Sequence, residues 1–202
     1  VLGDWGKLEG LIYNLKKKHL ARPKGFEADL NICGVDFGHR DPTAFSVIGV
    51  GGERFVIEDE RYIKGLTSKD IIKIAYELHE QYSFYKFFCD GARPEIIQEM
   101  VDAGLPAEAA IKGPGSVFAG VMHIMGLIGE DLFYVNEKSC PFHLQEIGGY
   151  VWDENDTRKE TPIKIKDHTC DAFRYAIYTY ALQIGLDVGS DSIADFSESL
   201  NY

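Results

Sequence analysis

One short stretch limits the folds open to this chain more than any other. Residues 30–38, Leu-Asn-Ile-Cys-Gly-Val-Asp-Phe-Gly, gather Leu30, Ile32, Cys33 and Val35 into a compact apolar run. That is how a strand buried on both faces reads. A bare carboxylate, Asp36, ends the run, and Gly38 with His39-Arg40-Asp41-Pro42 follows as turn chemistry. A charge at the end of a core strand is expensive to desolvate unless it is paired or holds a metal. An Asp that caps a turn is the competing explanation. Residues 84–90, Phe-Tyr-Lys-Phe-Phe-Cys-Asp, repeat the pattern: a strand ends on Asp90, Gly91 turns, and Arg93-Pro94-Glu95 opens a helix. In α/β sheets, sites cluster at the carboxyl ends of strands. Two acids there are harder to dismiss as caps than one.

Between these strands, the run Thr43 to Val50 meets Gly51-Gly52, a hairpin turn signal, and Arg54 to Ile63 returns as a strand. The first three strands are therefore expected as an antiparallel meander. Thr67-Ser68-Lys69-Asp70 opens a helix with Ile71, Ile74, Ala75 and Leu78 as its apolar stripe. Residues 107–111 read as a short strand. Lys112-Gly-Pro-Gly-Ser116 then leads into a helix over 117–128. A glycine-rich turn at a helix start can bind phosphate or can simply turn the chain, and no Walker pattern is present. An edge strand over 131–135, a helix over 140–148 and a polar turn over 153–159 come next.

Residues 167–182 form the last expected helix. Asp167, His168 and Asp171 stand at i, i+1 and i+4, so Asp171 can share a face with either of the other two. Asp167 reads equally well as an N-cap, and His168 as a surface histidine. Asp171 lies one turn inside the helix, where Asp has low propensity and no capping role. Ala172, Tyr175, Ala176 and Thr179 make a stripe suited to packing on a sheet.

The 202 residues suffice for one α/β domain with an appendage, and 45% are hydrophobic. No apolar run reaches membrane length, and residues 11–20 do not have the order of a signal peptide. Cys33, Cys89, Cys140 and Cys170 form no C-x-x-C pair, which argues against a zinc knuckle and fits a reducing, cytosolic setting. Cys33 and Cys89 are expected as buried thiols. The net charge of -11 argues against a tight nucleic-acid binder. Residues 1–29 read as a linker; Lys16-Lys17-Lys18 within it is a solvated face or, less simply, a phosphate contact. The acidic, Ser-rich residues 185–202 are expected as a flexible tail. The chain begins with Val and is expected to be a fragment of a longer protein.

In order, then, stand a strand ending in Asp, two hairpin strands, a helix, a second strand ending in Asp, and a late helix with His-x-x-Asp. This plan resembles the ribonuclease H-like nucleases. The residues further resemble the C-terminal nuclease domain of the large terminase subunits of tailed bacteriophages. The pieces that carry the likeness are Gly3-Asp4-Trp5-Gly6, Glu9-Gly10-Leu11-Ile12-Tyr13, Gly34-Val-Asp-Phe-Gly38, Asp41-Pro42-Thr-Ala44 and Cys89-Asp90. To these are added Lys112-Gly-Pro-Gly-Ser116, Tyr150-Val-Trp152 and Asp167-His-x-x-Asp-Ala-Phe-Arg-Tyr-Ala176.

The resemblance implies an α/β fold with a mixed central sheet: antiparallel strands 1–3, then parallel strands, flanked by helices. It implies a nuclease domain over 30–184 and a linker over 1–29 from a missing N-terminal ATPase domain. The activity implied is a metal-dependent endonuclease that cuts concatemeric double-stranded viral DNA during packaging. Asp36, Asp90, Asp171 and His168 match its catalytic positions, and Asp36, Asp90, Asp171 with Asp167 its metal ligands. Two ions, magnesium or manganese, would suit hard oxygen donors and clamp the scissile phosphate. Lys112 and Arg40 are the expected DNA contacts. The implied partners are DNA, the ATPase domain, the small terminase subunit and the portal of the procapsid, in the host cytoplasm, with no membrane. Two alternatives are a non-catalytic docking domain that contacts the portal and an actin-like ATPase. The second needs a duplicated domain and a Gly-Thr loop that this sequence lacks.

Overall fold

A computed structural model describes residues 10–38, 40–153, 155–156 and 161–186. Gly3 to Glu9, His39, residues 154 and 157–159 of the polar turn and residues 187–202 of the tail lie outside the described residues. Among the described residues, six strands run as β1 (Leu30–Asp36), β2 (Pro42–Gly51), β3 (Arg54–Lys64), β4 (Phe84–Cys89), β5 (Ala107–Ala109) and β6 (Phe133–Val135). Among the described residues, five α-helices accompany them: α1 (Ser68–Tyr82), α2 (Pro94–Asp102), α3 (Ser116–Gly129), α4 (Pro141–Ile147) and α5 (His168–Gln183). The sheet order is β5-β4-β1-β2-β3-β6. Strands β1, β2 and β3 pair antiparallel, while β4 joins β1, β5 joins β4 and β6 joins β3 in parallel. This is the mixed sheet that the sequence led us to expect.

Strand alternation sends the two faces of the sheet to different cores. Cys33, Val35, Phe87 and Cys89 pack with α1 and α2 residues such as Ile71, Leu78, Ile96 and Met100. Ile32, Ile48 and Phe88 point the other way, to Phe173, Ala176 and Ile177 of α5 and to Val121 and Ile124 of α3. Successive strand residues face opposite sides. Gly34 and Asp36 therefore share the α5 face with Ile32, and Asp90 shares it with Phe88.

Helix α5 lies against the sheet, and from Thr169 to Ala181 every residue is buried. It comes so close to β1 that a Cβ on Gly34 would stand 2.6 Å from the carbonyl carbon of Ala172. Glycine is required there by space rather than by its torsion angles. At Gly38, a Cβ would run into the main chain of Asp41 and Pro42, so the turn after β1 also needs glycine. All four cysteines are free and buried.

The segment before β1 lies on the domain. Leu11 bridges to Val151, and the Ile12 amide donates to the Tyr150 carbonyl at 2.9 Å. Tyr13, 1% exposed, stacks on Tyr150 and tilts against Phe173 of α5. Lys16, Lys17 and Lys18 are exposed around a short 3-10 helix, and Lys18 pairs with Asp131. No helix among the described residues is long and apolar enough to cross a membrane.

Candidate active site

The parallel pairing of β1 with β4 places Val35 beside Cys89, and the Asp90 amide donates to the Val35 carbonyl at 2.8 Å. Asp36 and Asp90 are thus neighbours at the carboxyl end of two central strands, on the face that meets α5. Asp171 sits in the first turn of α5, next to the Ala172 that touches Gly34. Three carboxylates distant in sequence are brought to one end of the sheet. They are near one another without being clustered as tightly as a ligand set drawn around an ion. Among the described residues, they do not form a group whose ligand atoms all lie within 4.8 Å of one another.

Each of the three acids has a basic partner. Asp36, 9% exposed, meets His168 Nδ1 at 3.0 Å. Asp90 accepts from the Lys112 ammonium and caps its own turn through the Ala92 amide at 3.0 Å. Asp171 accepts from Arg174 at 2.6 Å, a buried pair at i, i+3. Lys112 also stands over the Tyr175 ring, 4.5 Å from its centroid, and Arg174 lies against the same ring.

Burial raises the Asp36 carboxyl above the ordinary range; the bond to His168 opposes this, and the nearby charges of Asp171 and Asp90 add to it. Burial likewise raises Asp167, with Asp171 adding to the shift. His168 is raised, chiefly by its bond to Asp36. These directions describe carboxylates crowded into a space where charge is costly.

The remaining residues expected from the sequence fall around this point. Asp167 occupies the N-cap position of α5 but makes no side-chain cap bond. His168 is half-buried beside Asp36 and is not a free surface histidine. Arg40 is exposed on the turn after β1. The Gly113 amide donates to the Ser116 hydroxyl at 3.2 Å, and Gly115 starts α3 with a φ of 75°.

Sequence reasoning missed the residues beneath the acids. Asp36 pairs in register with Ala44, and Ala44 with Tyr62; Gly34 pairs with Ser46, and Ser46 with Glu60. Two rows thus cross β1, β2 and β3 on the α5 face. Glu60 accepts from the Phe142 and His143 amides at 2.8 and 3.0 Å and meets His143 Nδ1 at 2.5 Å. The other nitrogen of His143 meets the Ser46 hydroxyl at 2.7 Å. Glu60, Cys140 and His143 are also a set of ligand atoms within 4.8 Å of one another. Cys140 and His143, three apart around the helix opening at Pro141, were the legible part of that cluster. The buried Glu146 joins Tyr62 of β3 to Thr169 of α5.

A six-stranded mixed sheet with acids at the carboxyl end of its central strands and on the helix packed there defines a ribonuclease H-like domain. Residues 36–179 match the family described as Terminase RNAseH like domain, and the chain belongs to that family. It is 27% identical over 193 residues to the large terminase subunit of Escherichia phage T5, covering 87% of this chain and 43% of that protein. Its fold is similar to the large terminase of a thermophilic bacteriophage, with a TM-score of 0.74 and 21% identity over 91% of this chain and 48% of that one. It is also similar to the nuclease domain of the bacteriophage SPP1 large terminase with bound Mn, with a TM-score of 0.62 and 24% identity over 74% and 86% of the two chains. The chain spans less than half the length of the T5 protein and of the terminase chain from the thermophilic phage.

Proposed function

We propose that this domain is a divalent-metal-dependent endonuclease that cuts concatemeric double-stranded viral DNA during genome packaging. The observation that carries the reading is the meeting of Asp36, Asp90 and Asp171 at one end of the sheet, in a chain of the terminase family. The donor set fits a hard cation: carboxylate oxygens with one imidazole, and a Lys112 ammonium already seated on Asp90. Asp36, Asp90 and Asp171, with Asp167 beside them, would hold two ions, magnesium or manganese. The SPP1 domain similar to this one carries Mn. What such ions supply when bound is Lewis acidity toward the phosphate and a lowered pKa for an attacking water.

The chain's own residues would do the rest. Asp36, on a central strand, fixes the centre of the site, and His168, oriented by Asp36, holds or releases a proton there. Lys112, paired with Asp90, would be available to a DNA phosphate once a cation took its place, and Arg40 would offer a second phosphate contact. Binding of DNA by the domain alone is weak and unselective, given a net charge of -11. In the whole protein we place residues 1–29 as the link from an ATPase domain and residues 185–202 as an acidic tail. That protein would work with the small terminase subunit and the portal, in the host cytoplasm.

The test is digestion of supercoiled plasmid with and without manganese. The parent should cut only with the ion, and Asp36→Asn should not cut while keeping its circular dichroism spectrum. Equal cutting by Asp36→Asn refutes the mechanism. A folded parent that never cuts returns the domain to a docking role.

A further inference from the structure

We propose that Glu146 is a positioning residue that caps α5 from outside the helix, fixing where His168 and Asp171 stand and leaving the Asp167 carboxylate out of the cap. The inference rests on reading this end of the sheet as the nuclease site.

The first turn of a helix presents backbone N–H groups with no partner inside the helix. A side chain at the N-cap position normally takes one of them. Asp167 occupies that position in α5 and makes no such bond. The bond comes from α4 instead. One oxygen of Glu146 accepts from the Thr169 amide at 2.6 Å and from the Thr169 hydroxyl at 2.7 Å. The other accepts from the Tyr62 hydroxyl at 2.6 Å.

Glu146 is 4% exposed. A carboxylate that far from water is costly unless its oxygens are well bonded. Here every bond goes to β3 or to the start of α5, and its charge suits the positive end of the helix dipole. Thr169 stands between His168 and Asp171, so holding its amide and hydroxyl holds both neighbours.

Tyr62 closes the brace from the sheet side. It pairs across Ala44 with Asp36, and its ring centroid is 6.3 Å from that of His168. The distance between the strand that carries Asp36 and the helix turn that carries Asp171 is thereby set by Tyr62, Glu146 and Thr169. A local cap by Asp167 would hold the same turn but would occupy an acid that faces Asp171.

The experiment compares the parent with Glu146→Ala, Glu146→Gln and Tyr62→Phe. Three readouts are taken: Mn2+ affinity by electron paramagnetic resonance without DNA, hydrogen exchange at the Thr169 amide, and plasmid cleavage resolved into kcat and KM. Glu146→Ala should speed exchange at Thr169, weaken Mn2+ binding by about 10-fold to 100-fold, and lower kcat with KM for DNA unchanged. Glu146→Gln, which still accepts from Thr169, should restore most of the loss. Should Glu146→Ala fail to fold, Tyr62→Phe decides, with an expected weakening of Mn2+ binding of about fivefold, the worth of one hydrogen bond.

Unchanged Mn2+ affinity in Glu146→Ala, or in Tyr62→Phe where that variant decides, overturns the inference. So does a Glu146→Gln as impaired as Glu146→Ala, because the charge and not the placement would then matter. A parent that neither binds Mn2+ nor cuts plasmid overturns the nuclease reading and this inference together. A parent that does both beside an equally competent Glu146→Ala overturns the inference alone.

Discussion

Replacing Gly34 with alanine adds one methyl where β1 and α5 touch. The new Cβ would stand 2.6 Å from the Ala172 carbonyl carbon, closer still to its oxygen, and 3.2 Å from the Ala176 Cβ. Non-bonded carbons rest about 3.5–4.0 Å apart, so α5 must retreat by about 1 Å. In an open strand the same change would stabilise by about 0.5–1 kcal/mol, because glycine loses more freedom on folding. Overpacking a filled core costs about 1–3 kcal/mol, and here the obstacle is helix backbone, which cannot swing aside as a side-chain end can. The steric cost wins. At about 2–4 °C per kcal/mol for a domain of this size, the unfolding midpoint of Gly34→Ala should fall by several degrees. A second effect is expected at the site, because Asp171 lies in the turn that retreats. A misplacement of about 1 Å can cost on the order of 100-fold in rate. Thermal unfolding by circular dichroism measures the first effect. Manganese-dependent plasmid cleavage, at a temperature where both proteins are folded, measures the second. A midpoint equal to or above the parent's, with cleavage unchanged, would refute the close approach of helix and strand.

Asp36→Asn and Asp171→Ala should both stop cleavage yet differ in stability. Asp36 has a folded pKa raised by burial, so its charge costs stability above the unfolded carboxylate range, and the neutral variant should melt no lower than the parent at neutral pH. Asp171→Ala leaves the buried Arg174 without its partner, a loss of about 3–5 kcal/mol that calorimetry would register. Without divalent ions, His168 should titrate above its usual value of about 6.5, and Asp36→Asn should bring it down, as seen by NMR of the imidazole. Because its folded pKa is the higher one, the stability His168 contributes is fully present below about pH 6.5 and is lost as pH rises through the folded value. The stability gap between parent and His168→Ala should therefore shrink from mildly acidic to alkaline pH; a gap that widens would contradict the pairing with Asp36. His143→Leu should cost about 1–3 kcal/mol, because it strips a partner from Ser46 and from Glu60; an unchanged midpoint would show that those bonds are not formed.

The parts of the site that were legible are those that local periodicity sets. A compact apolar run closed by an acid marks both the buried strand and the end at which its acid emerges, so Asp36 and Asp90 could be read from residues 30–38 and 84–90. The i, i+1, i+4 spacing likewise gave Asp167, His168 and Asp171 a common helix turn. Arg174 was within reach of the same reasoning, three residues after Asp171. Glu146 and Tyr62 were not, because nothing local marks them: each is a polar residue in an ordinary amphipathic stretch, and only the folded chain brings both to Thr169. The stripe of Ala172, Tyr175, Ala176 and Thr179 suggested one packed face for α5. The helix is buried on all sides because α3 and α4 cover the face turned away from the sheet, and its tyrosines and Arg174 disguise that in the sequence.

The overall charge proved a poor guide to the site for a related reason. The chain carries -11, yet each of the three acids has a basic partner of its own: His168 for Asp36, Lys112 for Asp90 and Arg174 for Asp171. These partners are not equally displaceable. The Lys112 side chain is 39% exposed and regains water on leaving, whereas Arg174 is 3% exposed and would have to shed its carboxylate in a place where water cannot replace it. A divalent cation held by these acids would therefore compete first with Lys112 at Asp90 and would leave the Arg174–Asp171 pair in place. Lys112→Met should then tighten Mn2+ binding while weakening the salt-dependent contact with DNA, two opposite shifts from one substitution, read by ion titration and by DNA binding at varied salt. A Lys112→Met variant that binds Mn2+ no more tightly than the parent would show that the ammonium does not stand in a cation's place.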